Sequence, residues 1–235
     1  MKIYLIRSWL LAVTLVVCSQ AAFAAEEISS IARGGQLYDK WYAVIGAKTE
    51  GTHPAWPASN QKKSGSTTHR CKSCHGWDLM GKDGAYASGS YKTGITGLRH
   101  LSEASNASVI TALKNSVHGY AGKMSDRDFT DLANFVTRGQ IDMGAFIDSS
   151  SKKVSGGDLD RGAAYYNTVC AGCHARSGME PDDMTPLGRL SNENPWEIMH
   201  KIQNGQPDEP MPAMRAFDPQ VSIDILSYLQ TLPQK

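Results

Sequence analysis

Apolar residues recur at helical spacing in two stretches of this chain, one closing each half. The spacing of three and four residues is that of a single helix face, and it predicts helices over 126–138 and 219–231. The apolar positions of these stretches are Phe129, Leu132, Phe135, Val136, Val221, Ile225, Leu226 and Leu229. Such a face packs into a core, so each half is expected to end with a partly buried helix.

Polar residues mark where the two closing helices begin. Ser125 is predicted as the N-cap of the first, with Asp128 three residues later in a pattern like a capping box. Asp218 is predicted as the N-cap of the second, where Pro219 suits the first turn.

An earlier helix is predicted in each half, over 106–114 and over 195–203. Asn194 is a favourable N-cap for the second of these, and proline at 195 suits the first helical position. The order of elements therefore repeats, and an all-α fold is expected.

Two short segments also repeat. Arg-Gly-Gly-Gln-Leu-Tyr at 33–38 matches Arg-Gly-Ala-Ala-Tyr-Tyr at 161–166, which indicates one unit occurring twice. The second segment ends four residues before Cys170 and the first ends 33 residues before Cys71, so the first copy carries an insertion of 29 residues, at about 39–67. Its proline, glycine and serine content predicts a surface loop without a further element.

The cysteines indicate the chemistry. Beyond the first 24 residues, all four cysteines lie in Cys71-Lys72-Ser73-Cys74-His75 and Cys170-Ala171-Gly172-Cys173-His174. Cys-x-x-Cys-His is the attachment signature of c-type haem, because two thiols on one turn reach the vinyl groups and the adjacent histidine meets the iron. Disulfides or a zinc site would also use paired cysteines, but a histidine directly after both pairs argues against them.

The prediction is therefore two haem c groups. One is held by Cys71 and Cys74 and the other by Cys170 and Cys173, with proximal iron ligands that follow directly in the sequence. These proximal ligands are His75 and His174.

The motifs together resemble a known family. Arg161-Gly-x-x-x-Tyr166, the second Cys-x-x-Cys-His, Asn194-Pro-Trp-Glu, Met211-Pro212 and the closing helix resemble class I cytochrome c as far as Leu232. The first copy resembles the family through its haem motif and closing helix and departs from it through the insertion. The whole chain is similar to tandem dihaem cytochromes of bacterial periplasms, including the electron acceptors of thiosulfate dehydrogenases. The resemblance implies two helical domains in tandem, each around one covalent haem.

The distal iron ligand of each haem is expected shortly before the closing helix. In the second copy, Met211-Pro212 resembles the family's distal ligand, so Met211 is predicted rather than Met214. Met211 lies seven residues before Asp218, and the residue seven before Ser125 in the first copy is His118. His118 is therefore predicted as the distal ligand of the first haem.

Met124 is the alternative distal ligand in the first copy. It directly precedes Ser125, where packing against Phe129 would explain it without iron. The remaining histidines are expected to be surface or hydrogen-bonded residues rather than ligands: His53, His69, His100 and His200.

The beginning of the chain resembles an export signal. Lys2 and Arg7 precede an apolar run over 9–17, and Ala22-Phe23-Ala24 offers a cleavage site. A retained membrane anchor would need a run of about 20 residues, and a lipid-modified Cys18 would need a small residue before it. We expect a signal peptide at 1–24 cleaved near Ala24, a first domain at 25–148, a linker at 149–157 and a second domain at 158–235.

The charge balance bears on partners. The chain has 24 basic and 23 acidic residues, without the concentrated basic face that nucleic-acid binding requires. Transient periplasmic redox proteins are the expected partners, with no transmembrane segment in the mature chain. A basic cluster of Lys62, Lys63, Arg70 and Lys72 is a candidate docking surface for an acidic partner, or simply a solvated face.

The expected function is electron transfer, one electron per haem, and not catalysis. Methionine ligation raises the potential of haem iron, so the second haem is expected above the first. A peroxidase or sulfur-compound oxidase would need an open iron site, and a cysteine-ligated haem is disfavoured because no cysteine is spare. A fixed electron-transfer subunit of an oxidoreductase complex is the other alternative.

Overall fold

The computed structural model describes residues 24–235, and the predicted signal peptide lies outside them except for Ala24. The described chain is helical and contains no strand, with isolated bridges only at Gly81–Thr96 and Ile147–Val154. Its α-helices are α1 (24–44), α2 (Cys71–His75), α3 (Asn106–Lys114), α4 (Asp126–Arg138), α5 (Leu159–Tyr165), α6 (Ala171–His174), α7 (Leu187–Glu193), α8 (Pro195–Asn204) and α9 (Pro219–Leu229). Within 24–235, no helix has both the length and the apolar character needed to cross a bilayer.

Shorter turns complete these elements. Three 3₁₀ helices cover Gly65–His69, Arg99–Leu101 and Met143–Ala145, and a π-helical turn over Tyr166–Cys170 joins α5 to α6. The second Cys-x-x-Cys-His motif therefore follows directly from α5, whereas the first is separated from α1 by most of the insertion.

The four helices predicted from sequence are confirmed, with small differences at their ends. The predictions for α3 and α4 match the structure, α8 extends one residue further, and α9 ends two residues earlier than expected. Ser125 and Asp128 form the predicted capping box, and the Asp218 carboxylate accepts from the Gln220 amide. The predicted capping role of Asn194 is wrong, because its side chain donates to Glu197 Oε2 and caps no backbone amide.

The two copies of the sequence repeat make the same helix crossing. A Cβ on Gly34 of α1 would lie 2.0 Å from the carbonyl oxygen of Asp131 in α4. A Cβ on Gly162 of α5 would lie 2.1 Å from the carbonyl oxygen of Asp224 in α9. Each half therefore brings its first and last helices into backbone contact at a position where only glycine fits.

The neighbouring arginine and tyrosine repeat their contacts as well. Arg33 pairs with Asp128 and Asp131 of α4, and Arg161 pairs with Asp224 of α9. The hydroxyls of Tyr38 and Tyr166 each donate to a carbonyl just after a Cys-x-x-Cys-His motif, at Gly76 (2.6 Å) and Ala175 (2.6 Å).

The buried hydrophobic residues form two clusters that do not divide at residue 148. One cluster joins α1, α3 and α4. The other is built on α8 and α9 but also contains residues of the first half: Trp77, Tyr86, Met143, Phe146 and Ile147. The two halves therefore share one of their cores.

Polar contacts between α1 and α8 also join the two halves, and we call this contact region the seam. The carboxylate of Asp39, which is 1% exposed, pairs with Arg70 and with Lys201. Burial opposes ionisation, but the charges of Lys201 and Arg70 outweigh it and lower the pKa of Asp39. His200, whose pKa burial lowers to about 3, donates from Nε2 to the carbonyl of Gly35 at 2.9 Å.

The insertion is not the plain surface loop that its composition predicts. Its first residues, 39–44, continue α1, and a 3₁₀ helix covers its last residues. Its side chains at His53, Trp56 and Asn60 are buried. The prediction was wrong because these burials depend on contacts with distant parts of the chain, which local composition does not encode.

The segment predicted as a linker, 149–157, is mostly exposed but is tied to α9 and its C-cap. Gln230 donates from its side chain to the carbonyl of Lys152 and accepts from the amide of Val154. Gln220 donates to the carbonyl of Gly156. The segment therefore runs along the second half of the chain.

Candidate functional site

The first Cys-x-x-Cys-His motif forms α2, a single turn fixed by hydrogen bonds from three sides. The indole of Trp41 donates to the carbonyl of His69 at 2.9 Å, just before the motif. Ser73 within the motif donates to the carbonyl of Thr67 at 2.8 Å, and Tyr38 donates to Gly76 just after it. Helix α1 and the end of the insertion thus position this turn.

The four cysteines of the described chain are free thiols, with no disulfide among them. Burial raises the pKa of Cys71 to about 12 and the pKa of Cys74 and of Cys170 to about 11. Each motif thus keeps two thiols on one turn, the arrangement that covalent attachment of haem requires.

The histidine of each motif is oriented by a backbone carbonyl. Nδ1 of His75 lies 2.8 Å from the carbonyl oxygen of Thr96, and Nδ1 of His174 lies 3.0 Å from that of Glu180. Since a carbonyl only accepts, Nδ1 carries the proton in both rings and Nε2 keeps a free lone pair. Burial lowers the pKa of His75, which favours the neutral ring that ligates a metal.

The structure brings His118 next to His75. Their ring centroids are 6.4 Å apart and their planes differ by 26°. Two imidazoles sharing one metal, with bonds of roughly 2 Å on each side, have ring centres about 6 Å apart. The two rings therefore have a separation at which both could bind one metal ion, and Nδ1 of His118 is buried with no hydrogen-bond partner in the described chain.

Met124 lies elsewhere in the first half. Its side chain is buried in the cluster of α1, α3 and α4, together with Phe129. This position agrees with the packing role expected for the residue before an N-cap.

The second motif has two methionines on the segment between α8 and α9. Met214 is buried in the core, and its amide donates to the carbonyl of Ile202 at 2.9 Å. Met211 is only partly buried and is not a member of that core. Of the two thioethers, Met211 is the one that hydrophobic packing leaves unexplained.

The prediction that the four basic residues form a docking surface is wrong for two of them, Lys72 and Arg70. Lys72 is 3% exposed, with Nζ 4.7 Å from the ring centre of Trp77 and 4.3 Å from that of Tyr91. Arg70 is engaged by Asp39. Asp39 lies 31 residues before Arg70, and Tyr91 lies well beyond Lys72, so local sequence does not predict these contacts.

Comparisons with known proteins give one match placed in the second half and one relative. A family model described as cytochrome c oxidase, cbb3-type, subunit III matches residues 157–229, which contain the second motif. A protein of Synechocystis sp. (strain ATCC 27184 / PCC 6803 / Kazusa) described as cytochrome c-553-like is 35% identical over 79 residues, covering 32% of this chain and 70% of the relative. No solved structure matches the chain.

Proposed function

This chain belongs to the cytochrome c family, and on that premise we propose that it is an exported, periplasmic dihaem cytochrome that carries electrons between redox partners, one electron per haem. The observation that carries the proposal is the pair of equivalent attachment sites. At both Cys-x-x-Cys-His motifs the thiols are free, the histidine Nδ1 faces a carbonyl, and a repeated tyrosine donates to a carbonyl just after the motif.

The residues of the proposed sites divide into three roles. Cys71 and Cys74 would hold haem 1 covalently, and Cys170 and Cys173 would hold haem 2. The carbonyls next to His75 and His174 fix the proton on Nδ1, so Nε2 would be free to bind iron and the carbonyl would raise the basicity of the ligand. Bound haem would supply an iron centre that gains and loses one electron.

The proposed distal ligands differ between the halves. His118 is proposed for haem 1, supported by its spacing from His75, and Met124 is the weaker alternative because the core already accounts for it. Met211 is proposed for haem 2. Since methionine ligation raises the potential, electrons are expected to pass from haem 1 to haem 2.

The seam between the halves supports exchange within one molecule. Trp77, two residues after His75, packs against His200 of α8 with ring centroids 5.0 Å apart. Asp39 holds Arg70 of the first half and Lys201 of the second. These contacts would keep the two haem sites in a fixed relation, which suits a relay better than two independent carriers.

Two alternative functions can be distinguished from that of a free electron carrier. A peroxidase or sulfur-compound oxidase needs an open iron position, and the pairing of His75 with His118 favours a filled one at haem 1. A fixed subunit of an oxidoreductase complex is favoured by the match to the cbb3-type subunit III model, and copurification with a membrane complex would identify it. Service as electron acceptor of a thiosulfate dehydrogenase is a narrower form of the same proposal.

Intact-mass measurement of the holoprotein from a periplasmic fraction tests attachment and export together. The proposal predicts the mass of residues 25–235 plus two haems. A mass with one haem would contradict the dihaem assignment, and a mass that includes residues 1–24 would contradict cleavage near Ala24.

A further inference from the structure

The insertion places one buried histidine against the turn that carries His118. His53 is 7% exposed, and its Nε2 lies 3.0 Å from the carbonyl oxygen of His118. Its Nδ1 accepts the amide hydrogen of Ala55 at 3.1 Å. Because Nδ1 accepts, the single ring proton of neutral His53 is on Nε2, and the bond to His118 is a donated one.

The other side of His53 is tied to the approach to α2. Its backbone amide donates to Oγ1 of Thr68 at 2.9 Å, three residues before Cys71. Its ring packs edge-on against His69 and lies 5.7 Å from the ring of Tyr120. His53 therefore connects the segment before Cys71 with the turn after α3.

That turn is also held by hydrogen bonds on either side of His118. Asn115 Oδ1 accepts from the amides of Val117 and His118, and the amides of Gly119 and Tyr120 donate to the carbonyls of Asn115 and Leu113. In the described chain, the bond from His53 is the one hydrogen bond made to the His118 carbonyl. Loss of this bond would remove the contact between the insertion and the His118 carbonyl, while the amide hydrogen bonds of the turn would remain.

We propose that His53 is a positioning residue that holds the His118 backbone where its imidazole meets the iron of haem 1. On this proposal the insertion supplies the hydrogen bond that positions His118 in the first half. The compact second copy has no such insertion. This inference rests on the proposed function, in which His118 is the distal ligand.

Two matched substitutions separate the hydrogen bond from general packing. His53→Gln keeps a side-chain donor near the position of Nε2, whereas His53→Asn keeps only an acceptor near Nδ1 and is too short to reach His118. The exposed His100, changed to Gln, controls for removing a histidine, and His118→Ala shows the response of a fully opened haem 1. Each reduced holoprotein is titrated with carbon monoxide, and its thermal unfolding is recorded separately.

A bound His118 competes with carbon monoxide, so a loosened His118 raises the apparent affinity of haem 1. His53→Asn is expected to raise that affinity roughly five- to tenfold, the effect of one lost hydrogen bond. His53→Gln and His100→Gln should stay within about twofold of the parent, since the first keeps its donor and the second lacks contact with the turn.

The outcomes distinguish failure of the positioning role of His53 from failure of the assignment of His118 as distal ligand. If His118→Ala opens haem 1 but His53→Asn leaves it closed, the positioning role is overturned and the ligand assignment stands. If both His53 variants raise the affinity equally, the residue acts through packing and the inference is again wrong. If His118→Ala leaves haem 1 unchanged, the distal assignment itself fails.

Discussion

The two Cys-x-x-Cys-His segments share a scaffold but differ in what surrounds them. In both halves an arginine and a glycine of the first helix contact the closing helix, and the tyrosine at the end of the Arg-Gly repeat segment donates to the residue after the motif. The first motif is enclosed by the insertion and the seam, with Cys71 and Cys74 both partly buried, whereas Cys173 of the second is exposed. The repeat thus keeps the same contacts around both motifs, while the surroundings of the motifs and the proposed distal ligands differ between the copies.

The largest expected effect is the loss of one haem when the two cysteines of one motif are replaced. Cys71→Ala with Cys74→Ala should halve the haem content per chain, and Cys170→Ala with Cys173→Ala should do the same, because each pair is proposed to hold its own haem. A pyridine haemochrome assay against protein concentration measures the ratio. Loss of both haems from either double variant, with folding intact by circular dichroism, would contradict independent attachment.

Exchanging the distal ligand should remove the difference between the halves. Met211→His is expected to lower the potential of haem 2 by roughly a hundred millivolts or more, within the range of about 0.8 V that axial ligands span. Redox titration would then show two closely spaced steps. Met214→Leu is the matched control and should leave both potentials nearly unchanged, since Met214 belongs to the core.

Breaking the seam should cost stability in the whole molecule. Asp39→Asn leaves Arg70 and Lys201 without their carboxylate, and removing one partner of a buried ion pair costs about 3 kcal/mol. Asp126→Asn, which loses only an exposed pair with Lys114, should cost below about 1 kcal/mol. Denaturant unfolding measures both, and equal effects would contradict a structural seam.

The same carboxylate gives the seam a pH dependence. The pKa of Asp39 is lowered in the folded state, so its stabilising contribution is present above the unfolded value of about 3.9 and is lost as the pH falls through the folded value. Asp39→Asn should therefore show a shallower fall in stability below about pH 4 than the parent chain.

The smallest expected effect is the loss of stability caused by adding a methyl group at either helix crossing. Gly34→Ala and Gly162→Ala should each destabilise by about 1–3 kcal/mol, because the added methyl meets a backbone carbonyl. Gly144→Ala, whose nearest neighbour would be at 3.6 Å, serves as the control. Unequal losses at the two crossings would show that the repeat is less symmetric than its contacts indicate.

Local signals predicted four of the nine α-helices in residues 24–235 and both Cys-x-x-Cys-His motifs, whereas contacts between distant residues were not predicted. The capping box at Ser125 and the proline at 195 defined helix starts within a residue. Helix α7 was missed because it spans only seven residues and begins after Pro186 without a side-chain cap. The burial of His53 was missed because it depends on the turn at His118, 65 residues away. The burial of Lys72 was missed because local composition does not predict that the rings of Trp77 and Tyr91 cover its side chain.

The family could be recognised from spacing alone, because Cys-x-x-Cys-His is a local requirement of covalent haem attachment. The orientation of His75 could not, since its carbonyl partner at Thr96 lies 21 residues further along the chain. The same holds for the approach of His118 to His75, for which the sequence offered only an analogy of position.

An optical redox titration of the purified holoprotein tests the central claim most directly. Two low-spin, one-electron steps are predicted, with the weak far-red band of methionine-ligated ferric haem changing on the upper step alone. A persistent high-spin haem that binds added ligands, or a single step, would contradict the account of a two-haem electron carrier.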